Sequence, residues 1–245
     1  MDPTHLTLFC LTIFAVAVLY SCVGHAGASG YIAAMALFAF APAVIRPTAL
    51  VLNILVSVVV SGRFYRAGHF TWSLLWPFAL ASVPCALLGG FLSLPAAIFK
   101  ILVGAVLLLA AFPFFFRWVK DETAVRPPSL SLALAVGGAI GLLSGLTGVG
   151  GGIFLTPLLL LSRWARTKNT AAVSAVFILV NSIAGLVGHL SAARGLPIEI
   201  VYYALAVVTG GALGSYLGSM KLPVAAIHRV LGVVLVIAGA KLILA

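Results

Sequence analysis

What most restricts the fold of this chain is a glycine-rich break that cuts its hydrophobic sequence twice, as Gly24-His25-Ala26-Gly27-Ala28-Ser29-Gly30 and as Gly145-Leu146-Thr147-Gly148-Val149-Gly150-Gly151-Gly152. Gly24, Gly27 and Gly30 fall on Gly145, Gly148 and Gly151 at one offset of 121 residues. In lipid an interrupted helix frees backbone groups, which persist only where protein or a water-lined cavity satisfies them. Paired interruptions at matching places in two halves are the sequence pointer to a transporter's binding site.

Composition places the breaks in a membrane. Of 245 residues 63% are hydrophobic and only 7% charged, against roughly 25% charged in soluble domains. Runs such as Val103 to Phe116 with its flanks and Val224 to Ala245 mark spanning helices. The expected class is an all-α integral membrane protein without a soluble domain. The net charge of +10 does not point to nucleic acid, because the basic residues sit in short gaps between apolar segments. Positive-inside topology accounts for them. Cys10, Cys22 and Cys85 have no C-x-x-C spacing and read as small apolar fillers, so no metal or cofactor is expected. Leu6 to Val23 could pass for a signal peptide, since a small-residue stretch follows it, yet Met1-Asp2-Pro3-Thr4-His5 offers no Lys or Arg for a basic n-region. It is read as structure, with Leu130 to Leu146 as its counterpart.

Ten segments follow, five to a half: Leu6 to Val23, Gly30 to Ala41, Thr48 to Gly62, Ser73 to Leu92, Ala96 to Phe116, Leu130 to Leu146, Gly152 to Leu161, Thr170 to Gly188, Ile198 to Leu217 and Val224 to Leu244. Residues 1–117 form a first membrane repeat, 118–129 a polar cytoplasmic linker and 130–245 a second repeat. The second segment of each half reaches only ~15 to 18 Å, about half of a ~30 Å hydrocarbon core. Each ends near basic residues, Arg46 in one half and Arg163, Arg166 and Lys168 in the other. If those mark a surface, the glycine-rich starts lie near the midplane.

Basic residues decide between two topologies. With a hairpin around each break, one side receives Arg63, Arg66, Arg117, Lys120, Arg126, Arg163, Arg166, Lys168, Lys221 and Arg229, the other Arg46, Lys100, Arg194 and Lys241. A single broken helix at each break divides them seven against seven. The positive-inside rule prefers the hairpins, with both termini outside the cytoplasm. A hairpin plus three spans is an odd number of crossings, so the halves are expected to be inverted-topology repeats with a site at their interface.

Each break can turn the chain and expose the first N–H groups of a short helix, which carry the positive end of its dipole. Two such ends suit an anion, bound by Gly27, Ser29 and Gly30 from one half and Thr147, Gly148, Gly150 and Gly151 from the other. Alternatively, the glycines only permit tight helix packing. The carboxylates Asp2, Asp121, Glu122 and Glu199 all lie at segment ends or in the linker, which disfavours a cation substrate or a carboxylate proton relay. His25 and His189 are candidates for a proton or positive charge in the transport cycle. Asn53, Ser57, Asn181 and Ser182 are the other intramembrane polar groups expected to face the bundle interior, and Asn53, Asn181 and Ser182 are counted with the anion site; interhelical hydrogen bonding is the alternative role for them.

The second glycine break, the Thr-initiated helix Thr170-Ala171-Ala172-Val173-Ser174 and the basic loop Arg66-Ala67-Gly68-His69-Phe70-Thr71-Trp72 together resemble the TauE/SafE sulfite exporter family over nearly the whole chain. The resemblance implies an inner-membrane permease exporting sulfite, sulfoacetate or related organosulfur anions, working by alternating access. The first half departs from the family pattern at His25, Ala28 and Ser29 and at Arg46-Pro47-Thr48-Ala49. A passive anion channel fits the same sequence. Gly27-Ala28-Ser29-Gly30 also resembles the nucleophile motif of rhomboid proteases, with His25 or His189 as base, although an enzyme gives no reason for a duplicated break. The expected partners are a small anion and the lipid bilayer; oligomeric state stays open, a homodimer included.

Overall fold

Apolar segments that must satisfy their own backbone in lipid form helices. The computed structural model describes residues 3–22, 25–115, 125–126, 128–191, 199–219 and 224–244, and among them there are ten helices and no strand. They are α1 Pro3–Cys22, α2 Ala28–Leu37, α3 Pro42–Arg66, α4 Trp72–Phe91, α5 Ala96–Phe115, α6 Leu130–Thr147, α7 Gly152–Leu161, α8 Thr167–Ser191, α9 Ile200–Ser219 and α10 Val224–Leu244. Val23, Gly24, Phe116, Ile198, most of the linker, and Arg117, Lys120, Arg194 and Lys221 lie outside the described residues.

The expected ends of α7 and α10 match, and those of α4, α5 and α6 fall within one residue. Helix α3 is the main correction, since it begins at Pro42 rather than Thr48. Pro42 occupies the first turn, where no N–H is needed, and Pro47 is carried inside the helix at the loss of one backbone bond. Helix α2 in turn stops at Leu37, ahead of a left-handed Ala39 with φ 56°. Helices α3 and α8 are thus the longest, 25 residues each, or about 37 Å.

Among the described residues six helices, α1, α3, α4, α6, α8 and α9, are long and apolar enough to cross a membrane. Large apolar side chains face outward, Leu80 and Leu205 at 62% exposure and Leu109 at 68%. In water such a surface is penalised at about 25 cal/mol per Å², whereas lipid removes the penalty. The chain is a multi-pass helical membrane protein.

Both glycine breaks close hairpins. Phe38, just past the end of α2, stacks edge-on against His5 and Phe9 near the start of α1. In the second half the Arg126 N–H, ahead of α6, donates to the Arg163 carbonyl beyond α7 at 3.0 Å. Around the hairpins the pairing is reciprocal: α1 packs along α9 and α6 along α4, α3 on α9 and α8 on α4, while α5 meets α10 and α3 meets α8.

Glycine lines let these pairs approach. Along α6 a Cβ at Gly137, Gly141 or Gly145 would strike the backbone carbonyls of Phe78, Ser82 and Ala86 on α4, and along α9 one at Gly210 or Gly214 would strike those of Phe14 and Val18 on α1. This is small-residue packing between membrane helices. Gly141→Leu should therefore lower stability by about 1–3 kcal/mol or more, read as a fall in thermal midpoint in detergent. Gly138→Ala, whose Cβ would meet Cys85 Sγ at an ordinary 3.5 Å, should leave the midpoint unchanged.

Candidate functional site

The two longest helices cross the interior antiparallel and share a polar seam. Arg46 of α3 meets His189 of α8, Leu50 lies against Gly185, and Asn53 meets Ser182. Arg46, Asn53 and Ser57 fall on one helical face because they are seven and four residues apart. All the polar members are buried, Asn53, Ser57 and Ser182 completely.

The second break inserts into this seam. Gly148, at φ 84°, ends α6, and Gly151, at φ 79°, caps the start of α7. Both conformations are left-handed, where a side chain is strained. Thr147 secures the turn: its hydroxyl donates to Leu143 O at 2.6 Å and its oxygen accepts from Val149 N at 3.4 Å. Asn53 Nδ2 then donates to Val149 O at 3.3 Å and to Ser182 Oγ at 3.4 Å. A Cβ at Gly150 would lie 2.6 Å from Asn53 Nδ2 and 3.0 Å from Ser182 Oγ. Asn53, Thr147, Gly148, Gly150, Gly151 and Ser182 therefore form one cluster at the start of α7, whose first N–H groups have no intrahelical acceptor.

Arg46 is the residue that sequence reasoning misplaced. Expected to mark a membrane surface, it is 6% exposed. Its guanidinium donates to Gly90 O at 2.8 Å, Leu92 O at 2.9 Å, Gly89 O at 3.3 Å and Leu146 O at 3.5 Å. These carbonyls end α4 and α6, so the cation sits at the negative ends of their dipoles. Arg46 Nη2 also lies 3.1 Å from His189 Nδ1. A guanidinium has no acceptor, so Nδ1 accepts and this imidazole is neutral. The signal was present in the sequence: a helix continued through Pro47 puts Arg46 on the face of Asn53.

The other predicted residues lie elsewhere. Ser29 Oγ pairs with Tyr20 OH at 2.9 Å, and Gly27, at φ 95°, caps α2 over the Tyr31 ring. Gly30 is inside α2, where a Cβ would lie 2.5 Å from Val16 Cγ1; it serves packing rather than the break. The caps Gly27 and Gly151 are therefore 124 residues apart, one helical turn off the motif match. His25 lies outside the helices, its N–H donating to Tyr20 O at 3.0 Å. Asn181 faces α4, accepting from Ser82 Oγ and donating to Phe177 O at 2.9 Å. Ser29 is held by the Tyr20 phenol and His189 by Arg46, so His189 is engaged away from the rhomboid-like serine.

The basic loops gather at one end of the bundle. Asn169 Nδ2 in α8 donates to His69 O at 3.1 Å and to Thr71 Oγ1 at 2.9 Å, joining the loop that follows Arg63 and Arg66 to the one holding Arg163 and Arg166. A cavity of about 730 Å³ opens there, bordered by Thr71, Trp164, Arg166 and Asn169. At the opposite end Lys241 Nζ donates to Leu37 O at 2.9 Å.

Fold and site together define a polytopic helical membrane protein whose interior polar seam is entered by a glycine-broken hairpin. The family model for the sulfite exporter TauE/SafE matches residues 9–242, and the chain belongs to that family. It is 38% identical over 237 residues to the probable membrane transporter protein y4hK of Sinorhizobium fredii, covering 95% of this chain and 96% of that protein. It is 28% identical over 148 residues to the probable membrane transporter protein MJ0441 of Methanocaldococcus jannaschii, covering 59% and 55%. With the probable membrane transporter protein YunE of Bacillus subtilis it shares 31% over 116 residues, covering 46% and 41%. No solved structure matches the chain.

Proposed function

We propose that this protein transports small sulfur-containing anions, such as sulfite, sulfoacetate or related organosulfonates, by alternating access at the α3–α8 seam. The observation that carries the reading is the convergence of Asn53 and Ser182, from the two central helices, on the second glycine break. An oxyanion there would meet amide and hydroxyl donors, the positive end of the α7 dipole and the field of Arg46. Family membership and the names of the relatives support transport.

Residues 1–117 and 130–245 act as inverted repeats joined by 118–129. Two features support this: the reciprocal helix pairing, and the antiparallel crossing of the equivalent pairs α3 with α8 and α5 with α10. The end bearing Arg63, Arg66, Arg163, Arg166 and Lys168 is cytoplasmic by the positive-inside rule, which leaves both termini on the far side of the cell inner membrane. Burial of Arg46 deepens that asymmetry, because it removes a charge from the poorer side.

Full-length protein in vesicles loaded with labelled sulfite or sulfoacetate should give saturable flux; no saturable flux of any small anion sinks the reading. Asn53→Ala should lower the flux roughly ten- to a hundredfold, the scale of one hydrogen bond to a charged group.

A further inference from the structure

Hydroxyl groups in membrane helices commonly satisfy themselves on the carbonyl four residues back. This chain does so at Thr7, Thr12, Thr147, Ser191 and Thr209. Ser57 and Ser61 of α3 do not, although both are buried, at 0% and 9% exposure, and among the described residues neither hydroxyl has a hydrogen-bond partner. They follow Asn53 at four and eight residues, on the face that Leu50 presses against Gly185 of α8. Val56, just before Ser57 in sequence, turns instead toward Gly211 of α9. The antiparallel register fixed by Arg46–His189 and Asn53–Ser182 brings Ser174 to the level of Ser61, and Ser174 Oγ accepts from Thr156 of α7 at 2.9 Å. The row thus runs from the second glycine break toward the end holding Arg63, Arg66, Arg163 and Arg166.

We infer that Asn53, Ser57 and Ser61 line a permeation path for small oxyanions between the glycine break and the basic end of the bundle. This rests on the reading of the chain as an anion transporter. A buried hydroxyl without a partner keeps the cost of losing its water. A row of them held off their own helix is a set of donors for a ligand that moves from one to the next, replacing part of its hydration shell. The sign of the ligand follows from the charges: Arg46 stands at one end and the exposed arginines at the other, so the potential along the row favours anions.

The test places single cysteines in full-length protein whose Cys10, Cys22 and Cys85 are replaced by alanine, reconstituted in vesicles. Ser57→Cys and Ser61→Cys are treated with the anionic reagent 2-sulfonatoethyl methanethiosulfonate and with its trimethylammonium counterpart. Val58→Cys, on a face 55% exposed, is the lipid-facing reference. Both path positions should react with the anionic reagent at least about tenfold faster than Val58→Cys, and faster than with the cation, on the scale of electrostatic focusing. Rates equal to the reference, or a preference for the cation, overturn the path. Should a cysteine variant fail to insert, Ser57→Ala supplies the readout: labelled-sulfite flux about tenfold lower supports the path, and unchanged flux overturns it. Reactive cysteines without transport of any small anion refute the transport reading and leave an aqueous path. Saturable sulfite flux with inert cysteines refutes the path and leaves the transport reading.

Discussion

Arg46→Met should destabilise the protein by roughly 1.5–3 kcal/mol or more, the scale of hydrogen bonds between a charged group and its buried partners. The side chain is 6% exposed and donates to Gly89, Gly90, Leu92 and Leu146 carbonyls. Methionine fills much of the volume and supplies no donor, so those helix-terminal oxygens lose their partner in a place water does not reach. Arg46→Lys should fall between methionine and the parent. A single ammonium keeps the charge at the ends of α4 and α6 but cannot match a planar fork that reaches Gly90 O, Leu92 O and His189 Nδ1 together. The thermal midpoint in detergent orders the three proteins; methionine as stable as arginine refutes the role.

The same substitution should weaken anion uptake apart from stability. Losing a unit charge beside the site removes on the order of 1–2 kcal/mol of attraction, or about five- to thirtyfold in apparent affinity. The lysine variant separates the two effects, because it keeps the charge while loosening the helix ends. Its uptake should stay near the parental affinity even where its midpoint falls.

Element positions were legible where the signal is local. Apolar run length placed α4, α5, α6, α7 and α10 almost to the residue, and two left-handed glycines, Gly27 and Gly151, start the short helices. What the sequence did not disclose depends on which ends meet. Pro47 reads as a helix boundary, because the cost of its missing N–H is visible and the packing that offsets it is not. Arg46 reads as a surface charge, since nothing local tells that the ends of α4 and α6 converge on it. The match of Gly30 to Gly151 has the same origin: identical residues serve close packing against Val16 and Tyr20 in one place and a left-handed cap in the other. Of the candidate site, Asn53, Ser182 and the second break come together. Asn181, one residue from Ser182, turns to Ser82 on α4, a difference of 100° around the helix that only the packed partner resolves.

Gly150→Ala should abolish most transport, with flux at least about a hundredfold lower, while leaving the helices assembled. One methyl group acts in two ways here. At φ +79° an L-residue carries about 1–2 kcal/mol of strain. The Cβ would also lie 2.6 Å from Asn53 Nδ2, 2.9 Å from Ile178 Cγ2 and 3.0 Å from Ser182 Oγ, so the amide and the hydroxyl must both withdraw from the point where they converge. Two hydrogen bonds to a charged ligand, at about 1.5–3 kcal/mol each, exceed the backbone term and set the hundredfold scale. Gly68→Ala separates the contributions, because Gly68 has φ +72° and no atom within 4 Å of its Cβ position, in the loop between α3 and α4. It should lose a similar increment of stability and keep parental flux. If both variants carry labelled sulfite equally well, strain alone is felt at Gly150, and the meeting of Asn53 and Ser182 at the break is structural rather than part of the substrate's site.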